Sequence, residues 1–171
     1  MSLLVIGSVA FDAIETPFGK TDKIIGGAAT YISLSSSYFT HDVNLVAVVG
    51  GDFPKEDITL LEKHGVNTEG LQIKENEKSF FWSGKYHNDM NSRDTLVTEL
   101  NVLGDFDPII PATYQGSEYV MLGNLSPEVQ RTVIERMETS QSNELELVTK
   151  CCQICLEGCN LCIVEVALPV K

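Results

Sequence analysis

The sequence predicts an α/β fold, a parallel sheet with helices on its faces and a small antiparallel sheet inserted into it. Three observations carry that expectation. Short apolar runs of β type (Leu3-Leu4-Val5-Ile6, Val43 to Val49 and Tyr119-Val120-Met121-Leu122) recur along the chain and each ends at a glycine, as strands covered on both faces do. Helix-like segments alternate with these runs, the order of a parallel sheet wrapped by helices. Between Leu71 and Leu100 the pattern changes to short strand-like stretches separated by polar turns, the signature of hairpins.

Each element follows from its residues. Gly26-Gly27 precedes the small-residue segment Ala28 to Ser35, a helix that stops near Phe39. After the Val43–Val49 strand and its Gly50-Gly51-Asp52 turn, Pro54 suits the first turn of a helix to about His64, with Ile58, Leu60 and Leu61 on its apolar side. Gly65 is its stop. Leu71–Lys74 and Ser79–Tyr86 flank Glu75-Asn76-Glu77-Lys78 as a hairpin, and Thr95–Leu100 adds a strand after the polar turn of residues 88–94. After Tyr119–Asn124, Ser126 caps a last helix with Pro127 at its first position and Val129, Val133, Ile134 and Met137 facing inward.

Composition excludes several classes. The chain has 171 residues, 24 acidic against 12 basic side chains and a net charge of −12, which disfavours nucleic acid and anionic membrane surfaces, since both are bound by clustered Lys and Arg. No apolar run reaches the ~20 residues of a membrane helix. The apolar start lacks a basic n-region and stops at Asp12, so it reads as a strand rather than a signal peptide, and the chain as cytoplasmic. All five cysteines fall in the last 21 residues, after the polar stretch Thr139-Ser140-Gln141-Ser142-Asn143. Residues 1–138 therefore read as a body and 139–171 as an unrelated Cys-rich tail.

Several body segments together resemble the ribokinase-like (PfkB) carbohydrate kinase family. Gly7-Ser8-Val9-Ala10-Phe11-Asp12 is like its Gly-x-x-x-x-Asp, and Gly26-Gly27-Ala28-Ala29 like its first signature. Val48-Val49-Gly50-Gly51-Asp52-Phe53 is similar to its Val-Gly-x-Asp segment, and Gly65-Val66-Asn67-Thr68 to the Gly-Val-x-Thr element leading into the lid. The resemblance implies a ribokinase-like sheet with an inserted β-lid, its strands at about 13–24 and 71–103. It also implies transfer of the γ-phosphoryl group of ATP, with Mg2+, to a hydroxyl of a sugar or nucleoside, and a homodimer through the lid.

The same resemblance points to Asp12, Gly26, Gly27 and Asn124 as substrate-binding residues. Asp12 is expected at the carboxyl end of a strand, where open α/β sheets bind ligands, and a carboxylate accepts strong hydrogen bonds from sugar hydroxyls. The two glycines allow close approach, and the helix after them offers free N–H donors. Tyr31 stands where many members carry an Asn that contacts the sugar. The family's second signature, Gly-Ala-Gly-Asp with the catalytic base, occurs nowhere in these 171 residues, nor does a Walker-type phosphate loop. The expected chain is thus a truncated form of the fold, the substrate and lid half, inactive by itself. Asp52 reads as a turn residue, His41, His64 and His87 as non-catalytic, and Phe80, Phe81 and Trp82 as lid packing.

Two other readings stand beside this one, a non-catalytic module that binds a small ligand or dimerises, and a metal-binding protein. The latter would use Cys152-x-x-Cys155-x-x-x-Cys159-x-x-Cys162. Three residues between the Cys pairs leave little room for two zinc knuckles. The segment Asn160 to Leu168 reads instead as a strand, with Cys as a small hydrophobe, that partly replaces the next strand of the sheet.

Overall fold

The structure, a computed structural model, describes residues 1–140 and the short strand Ile163–Val164. In chain order the elements are β1 (Ser2–Gly7), β2 (Ala10–Thr16), β3 (Gly19–Lys20), β4 (Ile24–Gly26), α1 (Ala28–Ser37), β5 (Asp42–Gly50), α2 (Lys55–Lys63), β6 (Val66–Lys74), β7 (Phe80–Tyr86), β8 (Arg93–Glu99), β9 (Tyr119–Gly123), α3 (Pro127–Ser140) and β10 (Ile163–Val164), with 3-10 turns at Asn101–Leu103 and Ala112–Tyr114. No helix among the described residues is long and apolar enough to cross a membrane.

The main sheet has the order β10-β9-β1-β5-β6, parallel from β9 to β6. Its buried runs point alternately to two cores, as the two-residue side-chain period requires. Leu3 and Val5 of β1 join Leu45, Ala47 and Val49 of β5 under α1 and α2, with Leu61 and Phe53. Leu4 and Ile6 join Val46 and Val48 on the other face, under α3 with Val133 and Met137. Each fully buried Val, Leu or Ile contributes about 1.5–3 kcal/mol, so the doubly covered strands anchor the fold.

The expected start and stop signals act as read. The Ser126 hydroxyl accepts the Val129 N–H at 3.3 Å, and α3 begins at Pro127. Gly65 follows α2 at φ 81°. Pro54 sits one residue earlier than expected, as the cap of α2 rather than its first residue. Of the tail, only Ile163–Val164 lies within the described residues. That pair runs antiparallel to β9 with Ile163 opposite Gly123, the edge at which a tail strand was expected. The cysteine positions 151, 152, 155, 159 and 162 lie outside the described residues.

The second sheet has the order β3-β2-β7-β8, with β4 also on β2. It corrects two expectations. Residues 71–74 do not form a hairpin with residues 79–86, because β6 stays in the main sheet while β7 joins the lid. The lid is mixed rather than antiparallel, since β2 and β7 pair in parallel from Ala10↔Phe80 to Glu15↔Lys85. The reason is geometric. β1 continues into β2 through Ser8-Val9, and β6 into β7 through the 75–79 turn, so two chains leave a parallel sheet from the same end and enter the lid side by side. Gly50 and Gly51 pass beneath that turn, where a Cβ on either would lie within 2.4 Å of the Glu77 or Glu75 carbonyl oxygen.

Candidate functional site

Order in the main sheet reverses beside β1. From β1 the chain goes to β5 and β6 on one side, then crosses to β9 on the other. Open α/β sheets bind ligands outside the carboxyl ends of the strands at such a reversal. Here that place lies between Ser8, after β1, and Asn124, after β9, with Gly7 and Gly123 opposite each other in the ladder.

Asp12 is not at the end of β1, as the sequence suggested, but is the third residue of β2, at the root of the lid. From there its carboxylate leans over the glycine pair. A Cβ on Gly26 would lie 2.3 Å from Asp12 Oδ2, so that only glycine leaves room for the acid. Burial pushes the Asp12 carboxyl above its ordinary 3.8, and the Gly27 N–H, which donates to it, offsets part of that rise. Gly27 itself has φ 93° and ψ 145°, and a Cβ there would meet the Ser8 carbonyl oxygen at 2.4 Å. Three of the four candidate residues, Asp12, Gly26 and Gly27, are thus in contact.

The fourth, Asn124, is exposed and has φ 53°. It follows Gly123, which packs on Ala28 at the start of α1, so it shares this end of the sheet. Among the described residues no hydrogen bond joins it to Asp12 or the glycines. Tyr31, on α1, donates its hydroxyl to the Ile25 carbonyl at 3.0 Å.

One expected feature is overturned. The start of α1 does not offer its first N–H groups to a ligand. The Ser8 hydroxyl accepts the Ala28 N–H at 3.0 Å, and the Ser8 carbonyl accepts the Ala29 N–H at 2.9 Å. Ser8 is fully buried and caps the helix from the link between β1 and β2, work that a helix usually assigns to the residue just before it. Sequence reasoning passed over Ser8. The only signal was a small polar residue directly after a strand-ending glycine.

Asp52 is also more than a turn residue. Its Oδ1 accepts the Ser79 N–H at 2.8 Å and the Ser79 hydroxyl at 2.7 Å, and Oδ2 accepts Lys23 Nζ at 3.2 Å. Burial acts to raise its pKa, but the bonds from Ser79 and Lys23 outweigh this and hold the carboxyl below 3.8. Asn101, at φ 45°, donates to the Ser79 carbonyl at 2.9 Å. These contacts fasten the end of β5 to the lid where β7 begins, around a cleft of about 350 Å³ lined by Lys23, Asp52, Ser79, Phe81 and Asn101.

The aromatic cluster divides between faces. Phe80 is buried and Phe81 packs on the core under α1 and α2, as expected of lid packing. Trp82, only half-buried, stands opposite Asp12 in the β2–β7 ladder. His64 contacts the Leu60 carbonyl at the end of α2, and His87 pairs with Asp94 at 3.1 Å in the lid.

Among the described residues no group of three or more His, Cys, Asp or Glu side chains comes together, and the first N–H groups of α1 are bonded to Ser8. Asp12 is half-buried at the lid root, and its carboxylate is an acceptor of hydrogen bonds.

No family model matches the chain. A cytidine kinase of Thermococcus kodakarensis is 31% identical over 139 residues, 81% of this chain and 49% of that protein. The structure superposes on ribokinase of Cryptococcus neoformans, solved with ADP, at a TM-score of 0.65 with 19% identity, covering 82% of this chain and 48% of that one. A nucleoside kinase of Methanocaldococcus jannaschii, an archaeal member of the ribokinase family, gives 0.62 at 19% identity, with 79% and 48% covered. The chain spans about half the length of each.

Proposed function

Since the chain belongs to the ribokinase-like (PfkB) carbohydrate kinase family, we propose that it holds the acceptor substrate, a sugar or a nucleoside, of a kinase that transfers the γ-phosphoryl group of ATP to a hydroxyl. The observation that carries this is Asp12. A half-buried carboxylate at the lid root, lying over Gly26-Gly27 beside the strand-order reversal, is an acceptor waiting for donors, and vicinal hydroxyls are such donors. Gly27 orients it through its N–H, and Asn124 adds an amide at the rim. The lid excludes water from the reacting hydroxyl.

On this reading the phosphoryl donor, its Mg2+ and the base that deprotonates the hydroxyl are supplied by residues other than these 171. The division falls near residue 138, with the Cys-rich segment taking no part. A homodimer through the lid belongs to the same reading, because the outer strand β8 exposes Leu96 and Val97.

Calorimetric titration of the 171-residue chain with cytidine and with ribose tests the proposal. Saturable binding is expected, weakened at least tenfold in Asp12→Asn, since a hydrogen bond to a charged group is worth about 1.5–3 kcal/mol. No ADP should form when ATP and Mg2+ are added. Binding indifferent to Asp12→Asn would remove the proposed substrate site, and steady ADP formation would remove the proposed division of labour.

A further inference from the structure

We propose that Trp82 is a stacking platform for a planar base, which makes the substrate class a nucleoside rather than a free sugar. The inference rests on the reading of Asp12 above as the hydroxyl acceptor. Asp12 and Trp82 are register partners on adjacent parallel strands, about 4.8 Å apart across the ladder, and residues paired in this way present their side chains on one face. Ile24, opposite Asp12 on β4, and Thr98, opposite Trp82 on β8, share that face, and both are exposed.

The two central side chains lean in opposite directions. The Asp12 carboxylate leans back over Gly26, towards the body. The Trp82 six-membered ring lies forward over Gly84, where a Cβ would come within 2.1 Å of its Cη2 atom. Gly84 is buried beneath the ring, so the missing side chain there lets the indole lie flat along the lid. A free pentose held at Asp12 would leave this plate unused. A nucleoside has its hydroxyls at one end and a planar heterocycle at the other, and spans both. Packing does not account for the position, because Trp82 belongs to neither core and stays half-buried, whereas Phe81 packs on the core under α1 and α2. The exposed Arg93 guanidinium, 5.6 Å from the ring centroid, makes only the weak contact usual at the surface, one that a base can displace.

Trp82 is the single tryptophan of the chain, so its fluorescence reports directly on the plate. The 171-residue chain is titrated with cytidine, inosine and ribose, by fluorescence and by calorimetry. Both nucleosides are expected to quench Trp82 emission while ribose does not. Trp82→Leu should weaken nucleoside binding about tenfold or more, as loss of base–aromatic stacking does, and leave ribose unchanged. Trp82→Phe, which keeps a ring, should recover most of that loss. If Asp12→Asn removes binding of both ligand types while Trp82→Leu alters neither, the stack is wrong and the Asp12 site stands. If nucleosides bind without sensitivity to Asp12→Asn, or nothing binds, the Asp12 site falls and the stack with it.

Discussion

Gly27→Ala offers the sharpest test of how the candidate site is built, with Gly65→Ala as its matched control. Both glycines have positive φ, 93° and 81°. Around Gly65 an added Cβ meets nothing within 4 Å, so the substitution carries only the backbone term, about 1 kcal/mol for an L-residue in the left-handed region. Gly27 has ψ 145° as well, close to a region that is almost glycine-only and costs about 1–3 kcal/mol. Its Cβ would also strike the Ser8 carbonyl oxygen at 2.4 Å and the Ala10 nitrogen at 2.9 Å. Relief requires Ser8 to move away from α1, which breaks the bonds to Ala28 and Ala29 N–H, each worth about 1 kcal/mol. The sum for Gly27→Ala is about 3–5 kcal/mol, a large share of the stability of an ordinary domain. Urea denaturation of wild type and the two variants, followed by far-ultraviolet dichroism, measures the difference. A Gly27→Ala loss no larger than that of Gly65→Ala would refute the view that Ser8, Gly27 and the start of α1 form one rigid unit.

Two further expectations concern carboxylates that titrate in opposite senses. Asp12 has a folded-state pKa raised above 3.8, so its contribution to stability is full below that value and is lost as pH rises through the folded-state pKa. Asp12→Asn, with no charge to bury, should escape this loss and gain on wild type in thermal melts as pH rises above 3.8, even as ligand binding weakens. A wild type that instead gains on the variant with rising pH contradicts the assignment. Asp52 is held below 3.8 by Ser79 and Lys23, so its contribution is present above pH 3.8 and is lost as pH falls. Asp52→Ala should cost about 2 kcal/mol at neutral pH, less in acid, and open the lid root to limited proteolysis between residues 74 and 80. Unchanged cleavage there would mean that the contacts to Ser79 do not fasten the lid.

Much of the candidate site was legible in the sequence, but not how its parts divide their tasks. Asp12 and the glycine pair stand out through their likeness to the Gly-x-x-x-x-Asp segment and first signature of the ribokinase-like family, and the structure brings the three into contact. That Ser8 occupies the N–H groups of α1 was not visible, because the bond joins residues 8 and 28 across three strands and no local window contains both. Asp52 looked like a turn residue for the same reason. Its partner Ser79 lies on the far side of a helix and a strand.

The sequence by itself determined the three helices and the buried strands β1, β5 and β9, where α2 stops and α3 begins, and that β1 and β5 are covered on both faces. These properties follow from side-chain period and from the backbone limits of Gly and Pro, which act within a few residues. Only the tertiary structure decided that β6 and β7 part company, that β2 and β7 run in parallel, and that Trp82 therefore stands beside Asp12. Strand pairing joins residues as distant as Ala10 and Phe80, and its register is fixed by two chains leaving one parallel sheet from the same end.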